Sequence, residues 1–457
     1  MMDTVAAASA VHGRVVGSPV TFARVTTDSR AIADGDLFVA LKGERFDGHD
    51  FVAQALAAGA AAAIVAEERA PSFAGNLIAV ADPQRALEAL AQHWRSRFDL
   101  PVAAVCGSNG KTTTKEMIAT IFRAAVGTAH VLATSGNLNN AIGLPLTLLR
   151  LRDSHELAVI EIGMNHRGET AELAAIARPT VVVVTNAQRE HQEFMQSVAE
   201  VAAEHADAIA ALPPGGVAVV NADDQYADVF NASARDANAS IIEFGTTRRA
   251  AVTANVTLAA NLSHLTLKTP AGDATLTLAV PGAHMVANAL AATAAALAVH
   301  VPLPAIVEGL AAFRALEGRL SMREERSGVR VIDDSYNANP DSVRAAIDVL
   351  ASASGRRWLV LGDMGEVGAM GPAFHREIGA YARKAGIERL LALGELTEAT
   401  VEAFGDGGAH CANIDALTSQ LAREAAAGDT ILIKGSRFMR MERVVAVLAG
   451  DNGARAH

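Results

Sequence analysis

Gly107-Ser108-Asn109-Gly110-Lys111-Thr112-Thr113 is the stretch on which the fold turns. The apolar run Leu100 to Val105 precedes it and reads as a buried parallel strand. Helix formers from Thr114 to about Ala125 follow it. Strand, glycine-bearing turn, Lys-Thr and helix together make a phosphate cradle. The glycines let backbone N–H groups converge on phosphate oxygens, the helix N-terminus adds partial positive charge, and Lys111 adds a full one. The hydroxyl of Thr112 is placed to hold Mg²⁺. Val105 stands where the usual pattern has its first glycine, so the loop is a shortened Gly-x-x-Gly-Lys-Thr.

The 457 residues suggest about three domains. A content of 51% hydrophobic and 19% charged residues is enough for several cores. A net charge of −11 disfavours a nucleic-acid surface, which needs a basic field, but leaves room for an anionic small substrate met by local lysines and arginines. Two cysteines without paired spacing, Cys106 and Cys411, argue against disulfides and zinc and point to a reducing compartment. Cys106 reads as a packing residue. No stretch is apolar for long enough to span a membrane. Met1 to Ala10 carries Asp3 and no Lys or Arg, so it lacks the positive start of a secretion signal; a cytoplasmic protein is expected.

Residues 1–97 read as a small α/β domain. Strands are expected at Phe22 to Val25, Asp36 to Leu41 and Ala62 to Ala66, with helices from Asp50 to Ala61 and from Pro83 onward. Two polar clusters lie between them: Thr27-Asp28-Ser29-Arg30, and Lys42-Gly43-Glu44-Arg45-Phe46-Asp47-Gly48-His49-Asp50. Such loops suit a sugar nucleotide, with basic groups and amides for the diphosphate and an aromatic for the base. They serve equally as two solvated loops.

Residues 98–314 read as the nucleotide domain. A strand at Leu157 to Ile162 brings Glu161 near its C-terminal end, where ligands gather in parallel sheets. A carboxylate there, beside a phosphate loop, is a Mg²⁺ ligand candidate. The apolar run Pro179 to Thr185 ends at Asn186, with His191 in the following loop as a second candidate. Alternation from Ala251 to Val280, with a turn at Pro270-Ala271-Gly272, predicts an antiparallel patch. Asn288 falls in the first turn of an alanine-rich helix, Val286 to Val299.

Residues 315–457 read as a Rossmann-like wound sheet. Its strands are expected at Val329 to Ile332, Trp358 to Leu361, Leu390 to Leu393 and Thr430 to Ile433. The first runs into Asp333-Asp334-Ser335-Tyr336-Asn337-Ala338-Asn339-Pro340, where Asp334 suits ribose hydroxyls and Tyr336 and Asn337 a base. The last runs into Lys434-Gly435-Ser436-Arg437. No Gly-x-Gly-x-x-Gly follows the first strand, so no dinucleotide is assigned.

In their order, these motifs resemble the Mur ligases, the ATP-dependent amino-acid ligases of peptidoglycan synthesis. The likeness runs from Asp28-Ser29-Arg30 and the Lys42-to-His49 block through Gly107 to Thr113, Glu161-Ile162-Gly163-Met164-Asn165, His191 and Asn288. It continues through Gly318-Arg319-Leu320 and the Asp333-to-Pro340 run to Lys434-Gly435-Ser436-Arg437. Tyr336-Asn337-Ala338-Asn339-Pro340 and the Lys42-to-His49 block are similar to the branch that joins D-alanyl-D-alanine to a UDP-N-acetylmuramoyl-tripeptide. The resemblance implies three domains: a UDP-sugar domain, an ATPase domain and a Rossmann-like domain that closes over both. It implies an acyl-phosphate intermediate, ATP and Mg²⁺, and a monomer.

By residue, the resemblance implies ATP contacts from Gly107, Ser108, Asn109, Gly110, Lys111, Thr112, Thr113, Asn288, Arg319, Asp334, Tyr336 and Asn337. Lys111, Glu161, His191 and Arg319 would be catalytic, and Thr112, Glu161 and His191 metal ligands. Substrate contacts would come from Asp28, Ser29, Arg30, Lys42, Gly43, Arg45, Phe46, Asp47, His49, Asn139, Lys434 and Arg437. The chain departs from the family at two positions. Many members carry a lysine about fourteen residues after the His191 equivalent, carbamylated to bind Mg²⁺. Here His205 stands there, with no lysine between residues 192 and 211, and the neighbouring Glu204 is the expected substitute. Met285 replaces an asparagine common after the His284 equivalent. The alternative reading is another Mur step or a folylpolyglutamate synthetase-like ligase; a nucleotide sensor with a degraded site is a third.

Overall fold

The computed structural model describes residues 1–325 and 327–449. Three α/β units follow one another. In the first, a five-stranded sheet runs in the order Arg14–Val16, Leu77–Val80, Ala62–Ala66, Asp36–Val39, Arg24–Thr26. Only its Arg14–Val16 edge is antiparallel. The single strand expected at Phe22 to Val25 is two. Phe22 pairs antiparallel with Met2, whereas Arg24–Thr26 pairs parallel with the strand at Asp36–Val39, so the chain changes sheet at Ala23. The expected helix from Asp50 is a short 3₁₀ turn, Gly48–Phe51, that runs into Val52–Ala57.

The central sheet is fully parallel, in the order Ser240–Phe244, Val217–Asn221, Val181–Val184, Val102–Cys106, Leu157–Glu161, Val131–Ala133. Side chains alternate across the loop strand. Ala103 and Val105 face Met117, Ile118, Ile121 and Phe122 of the helix Lys111–Val126. Val102, Ala104 and Cys106 face the opposite layer, with Leu87 and Leu90 of Pro83–Arg95 and Val201 of Val198–Ala210. Each fully buried large apolar side chain of these helices stabilises the sandwich by about 1.5–3 kcal/mol. Helix Pro83–Arg95 belongs to the first unit, yet Trp94 Nε1 donates to Leu151 O at 3.1 Å and Arg95 Nε to Ala177 O at 3.0 Å. The first two units thus share a core.

The antiparallel patch is three-stranded: Thr253–Leu258, Ser263–Thr269 and Gly272–Leu278. The third unit carries the order Ser321–Glu324, Arg330–Asp334, Thr430–Lys434, Arg357–Gly362, Arg389–Leu393, Gly408–Cys411, parallel except for the first strand. Pro340–Ala351 opens with a reciprocal cap in which Asn339 and Ser342 satisfy each other's backbone N–H groups. The edge strands Val131–Ala133, Ser240–Phe244 and Gly408–Cys411 and the inner strand Leu77–Val80 had no expectation; they are short, and their alternation is too brief to show. Among the described residues, no helix is long and apolar enough to cross a membrane.

Candidate active site

The loop strand lies between the strands that end at Glu161 and Val184, with Glu161 in register with Val105 and Val184 with Cys106. The chain changes direction across the sheet here, so a crevice opens beyond the carboxyl ends of these three strands. The helix Lys111–Val126 starts at the loop's own lysine, three residues earlier than expected, because Gly110 takes a left-handed conformation (φ +83°) and turns the chain directly into it. Gly110 offers no side-chain cap, so the first N–H groups of the helix are left for an anion. Both glycines are dictated by space. A Cβ on Gly107 would lie 2.1 Å from Thr185 Oγ1, and one on Gly110 would lie 2.3 Å from Asn288 Oδ1.

The neighbouring strand end clamps the loop. Asn186 Oδ1 accepts from Asn109 N at 2.9 Å, Thr185 Oγ1 donates to Asn109 O at 2.8 Å, and Asn109 Nδ2 donates to Gln188 Oε1 at 2.7 Å. Lys111 folds back over the turn: its Nζ donates to Gly107 O at 2.5 Å and meets Glu190 Oε2 at 3.2 Å. Glu190 is buried and also meets His205 Nε2 at 3.1 Å and His191 Nε2 at 3.7 Å. Burial raises its carboxyl pKa, but Lys111, His205 and His191 outweigh burial and hold it at about 2. Composition and motif offered no sign of Glu190; only the meeting of two loops shows it.

Glu161 is buried, with Oε1 accepting from Asn139 Nδ2 at 2.7 Å and Oε2 without any partner. A buried carboxyl oxygen lacking a partner, in a cleft with Thr112, fits a divalent cation. Asn139, grouped with the substrate contacts from sequence, is the residue that orients Glu161. His191 has a positive φ of 49°, a strained backbone that suits a functional position, and its Nδ1 lies 2.6 Å from Glu366 Oε2 of the third unit.

Glu204 needs correction. Its Oε2 accepts from Gly168 N at 2.9 Å and its Oε1 from Thr170 N at 2.8 Å. Both oxygens cap the helix Glu169–Ala177, where a carboxylate belongs, and Glu204 does not line the cleft. Its neighbour on the helix, His205, points at Glu190 instead. Cys106 is buried, and burial pushes its thiol up to about 12, which suits packing and not nucleophilic work.

The third unit supplies the far wall of a cleft of about 930 Å³. Arg319, Asp334, Tyr336, Asn337, Lys434 and Arg437 all line it, together with Asn288 from the central unit. Asp334 and Lys434 are paired residues of adjacent parallel strands, so their side chains meet, Nζ to Oδ2 at 2.6 Å. Burial pushes the Asp334 carboxyl up, against the pull of Lys434. The Arg319 guanidinium stacks 4.2 Å from the centre of the Tyr336 ring, with Arg437 5.6 Å away. Burial, with Lys434 nearby, pushes His284 down to about 4, leaving it neutral.

The first unit's candidates lie elsewhere: none of Asp28, Ser29, Arg30, Lys42, Gly43, Arg45, Phe46, Asp47 and His49 lines this cleft. Asp28 and Arg30 form a two-point ion pair with both distances 2.9 Å, and the arginine holds the Asp28 carboxyl at about 2. His49 is buried. Its Nδ1 faces Asp47 Oδ1 at 2.6 Å and its Nε2 accepts from Ala66 N at 2.9 Å, so its ring ties the loop to a strand end. Lys42, Gly43, Arg45 and Phe46 are exposed.

The chain is similar to known proteins along most of its length. The family model described as Mur ligase middle domain matches residues 105–296, the glutamate ligase domain model 318–437 and the Mur ligase family catalytic domain model 21–95. The UDP-N-acetylmuramoyl-tripeptide–D-alanyl-D-alanine ligase of Escherichia coli is 40% identical over 97% of each chain. The crystal structure of MurF from Acinetobacter baumannii superposes with a TM-score of 0.89 at 34% identity, over 97% of this chain and 98% of that one. MurF from Thermotoga maritima, solved with ADP, superposes at 0.79 with 26% identity, over 94% and 97%. The chain belongs to the Mur ligase family, in its MurF branch.

Proposed function

We propose that this enzyme joins D-alanyl-D-alanine to UDP-N-acetylmuramoyl-tripeptide at the expense of ATP, as a cytoplasmic monomer. A carboxylate is a poor electrophile until one of its oxygens becomes a good leaving group. The γ-phosphoryl of ATP passes to the tripeptide's terminal carboxylate, giving an acyl phosphate and ADP. The amine of D-alanyl-D-alanine attacks the acyl carbon, the C–O bond to phosphate breaks, and the amine proton leaves with the phosphate or solvent. The acyl phosphate hydrolyses in water, so the cleft must close before it forms.

The observation that carries this reading is the meeting of Lys111 and Glu161 of the central unit with Arg319 and Lys434 of the third around one cleft. Lys111 and the N–H groups of the loop bind and orient the phosphates. Arg319, stacked on Tyr336, and Asp334 complete the nucleotide site, with Asn288 packed against the loop at Gly110. Lys434 and Arg437 hold the substrate carboxylate or its phosphate. Thr112 and Glu161 would hold a first Mg²⁺ and His191 a second, and Mg²⁺ bound there would neutralise phosphate charge. The exposed Lys42, Arg45 and Phe46, with Asp28, Ser29 and Arg30, would receive the uridine diphosphate end.

ADP release that requires both UDP-N-acetylmuramoyl-tripeptide and D-alanyl-D-alanine tests the proposal. A ligase of another step would ignore D-alanyl-D-alanine, and a nucleotide sensor would release no ADP.

A further inference from the structure

Glu190 is a buried carboxylate whose present counter-charge is borrowed. Its Oε2 meets Lys111 Nζ at 3.2 Å and His191 Nε2 at 3.7 Å, and it lines the cleft. Its other oxygen, Oε1, is held by His205 Nε2 at 3.1 Å. His205 is itself buried, and its Nδ1 has no partner, so Nε2 carries the proton that the carboxylate accepts. The pair is therefore anchored by His205 at one oxygen, while the other is turned to the cleft wall, where Lys111 and His191 meet it.

Nucleotide binding upsets this balance. Lys111 cannot serve triphosphate oxygens and remain on Glu190 at full strength. A buried carboxylate that loses its cation is strongly unfavourable unless another cation takes the place. The arriving triphosphate is itself an anion, so a divalent ion between the two relieves both.

We propose that Glu190, held by His205, is a cation-binding carboxylate of this chain and, with His191 and nucleotide oxygens, forms the second divalent-ion site. The inference rests on the ATP reading above. It also accounts for the missing lysine: a planar carboxylate reaches the cleft from the loop before His191, while the helix position that would bear a carbamate bears the histidine supporting it. Glu204 is excluded because both of its oxygens accept backbone N–H groups. Among the described residues, no group of three or more His, Cys, Asp and Glu side chains could hold a metal ion. The second ion therefore depends on phosphate and water oxygens, as Mg²⁺ usually does.

Mn²⁺ binding to the full chain, counted by electron paramagnetic resonance with a non-hydrolysable ATP analogue in carbonate-free buffer, tests this. The expected count is two ions per wild-type chain and one for Glu190→Gln, with the remaining ion's affinity within twofold. Two ions in Glu190→Gln would make Glu190 a counter-ion for Lys111 alone and overturn the inference, as would a single ion in the wild type. Failure of the wild type to bind the analogue would instead sink the ATP reading. Should Glu190→Gln fail to fold, Glu190→Asp keeps the charge but falls one methylene short. It should weaken the second ion at least tenfold, and unchanged affinity would overturn the inference.

Discussion

Arg189 of the central unit forks onto Asp341 of the third, Nη2 to Oδ1 at 2.6 Å, although 152 residues separate them in the chain. The same guanidinium reaches Glu377 Oε2 at 2.7 Å, and its backbone N–H also meets Asp341 Oδ2 at 2.9 Å. Close by, Asn109 of the phosphate loop and Asn339 of the third unit exchange amide hydrogen bonds at 2.9 and 3.3 Å. The phosphate loop and the cap of Pro340–Ala351 are thus locked together when the units are docked.

Arg189→Ala should therefore loosen docking. Asp341 and Glu377 would lose their shared partner, at a cost of about 2–5 kcal/mol in docking free energy. Small-angle scattering should show a larger radius of gyration, and kcat/KM should fall by at least tenfold while the melting temperature of the first two units holds. An unchanged scattering profile would mean that the fork is incidental to closure.

Lys111→Ala should abolish ligation. Because Lys111 is the lysine partner of the buried Glu190, the change also leaves that carboxylate with only His205 and His191 beside it, so stability should fall by about 3 kcal/mol. Denaturant titration beside an ADP-release assay separates the two effects. Lys111→Ala with full stability would show that His205 and His191 suffice for Glu190.

For Gly110→Ala, the left-handed backbone alone costs about 1–2 kcal/mol, and the new Cβ would meet Asn288 Oδ1 at 2.3 Å. Nucleotide affinity, measured by calorimetry, should drop by more than tenfold. The companion change Asn288→Ala should recover part of it by clearing the clash; no recovery would put the whole loss in the backbone.

The acid limb of stability has an identifiable contributor. Burial raises the Asp223 carboxyl, but the hydroxyls and backbone N–H groups of Thr246 and Thr247 and the N–H of Arg248 outweigh it and hold it at about 2, below the ordinary 3.8. A depressed folded-state pKa stabilises above the unfolded value and loses that contribution as pH falls through the folded one. The wild type should thus lose stability between pH 3.8 and about 2, and Asp223→Asn should flatten that part of the curve. Melting temperature against pH is the measurement, and superimposable slopes would refute the assignment.

Much of the site was legible in order along the chain. Gly107 to Thr113, Glu161, Asp334 and Lys434 each stand at or just beyond the end of an apolar strand, and the pattern of strand, polar end and helix locates such ends well. The length of the helix from Lys111 was less legible, because it depends on the backbone turn at Gly110. Glu190 was invisible for a different reason: it lies in a polar loop with no period, and its role comes from Lys111 and His205, which are 79 residues before it and 15 after it.

From the sequence alone, local chemistry followed: which segments are strands, where glycine is required, and which polar residues leave strand ends toward a phosphate. Such features depend on neighbours a few residues away, and periodicity records them. What only the tertiary structure decided was partnership. Glu204 capping a helix while His205 holds Glu190, Asn139 orienting Glu161, and Arg189 joining two units all depend on which loops meet in space. Backbone crossovers set those meetings, and residue spacing along the chain does not encode them.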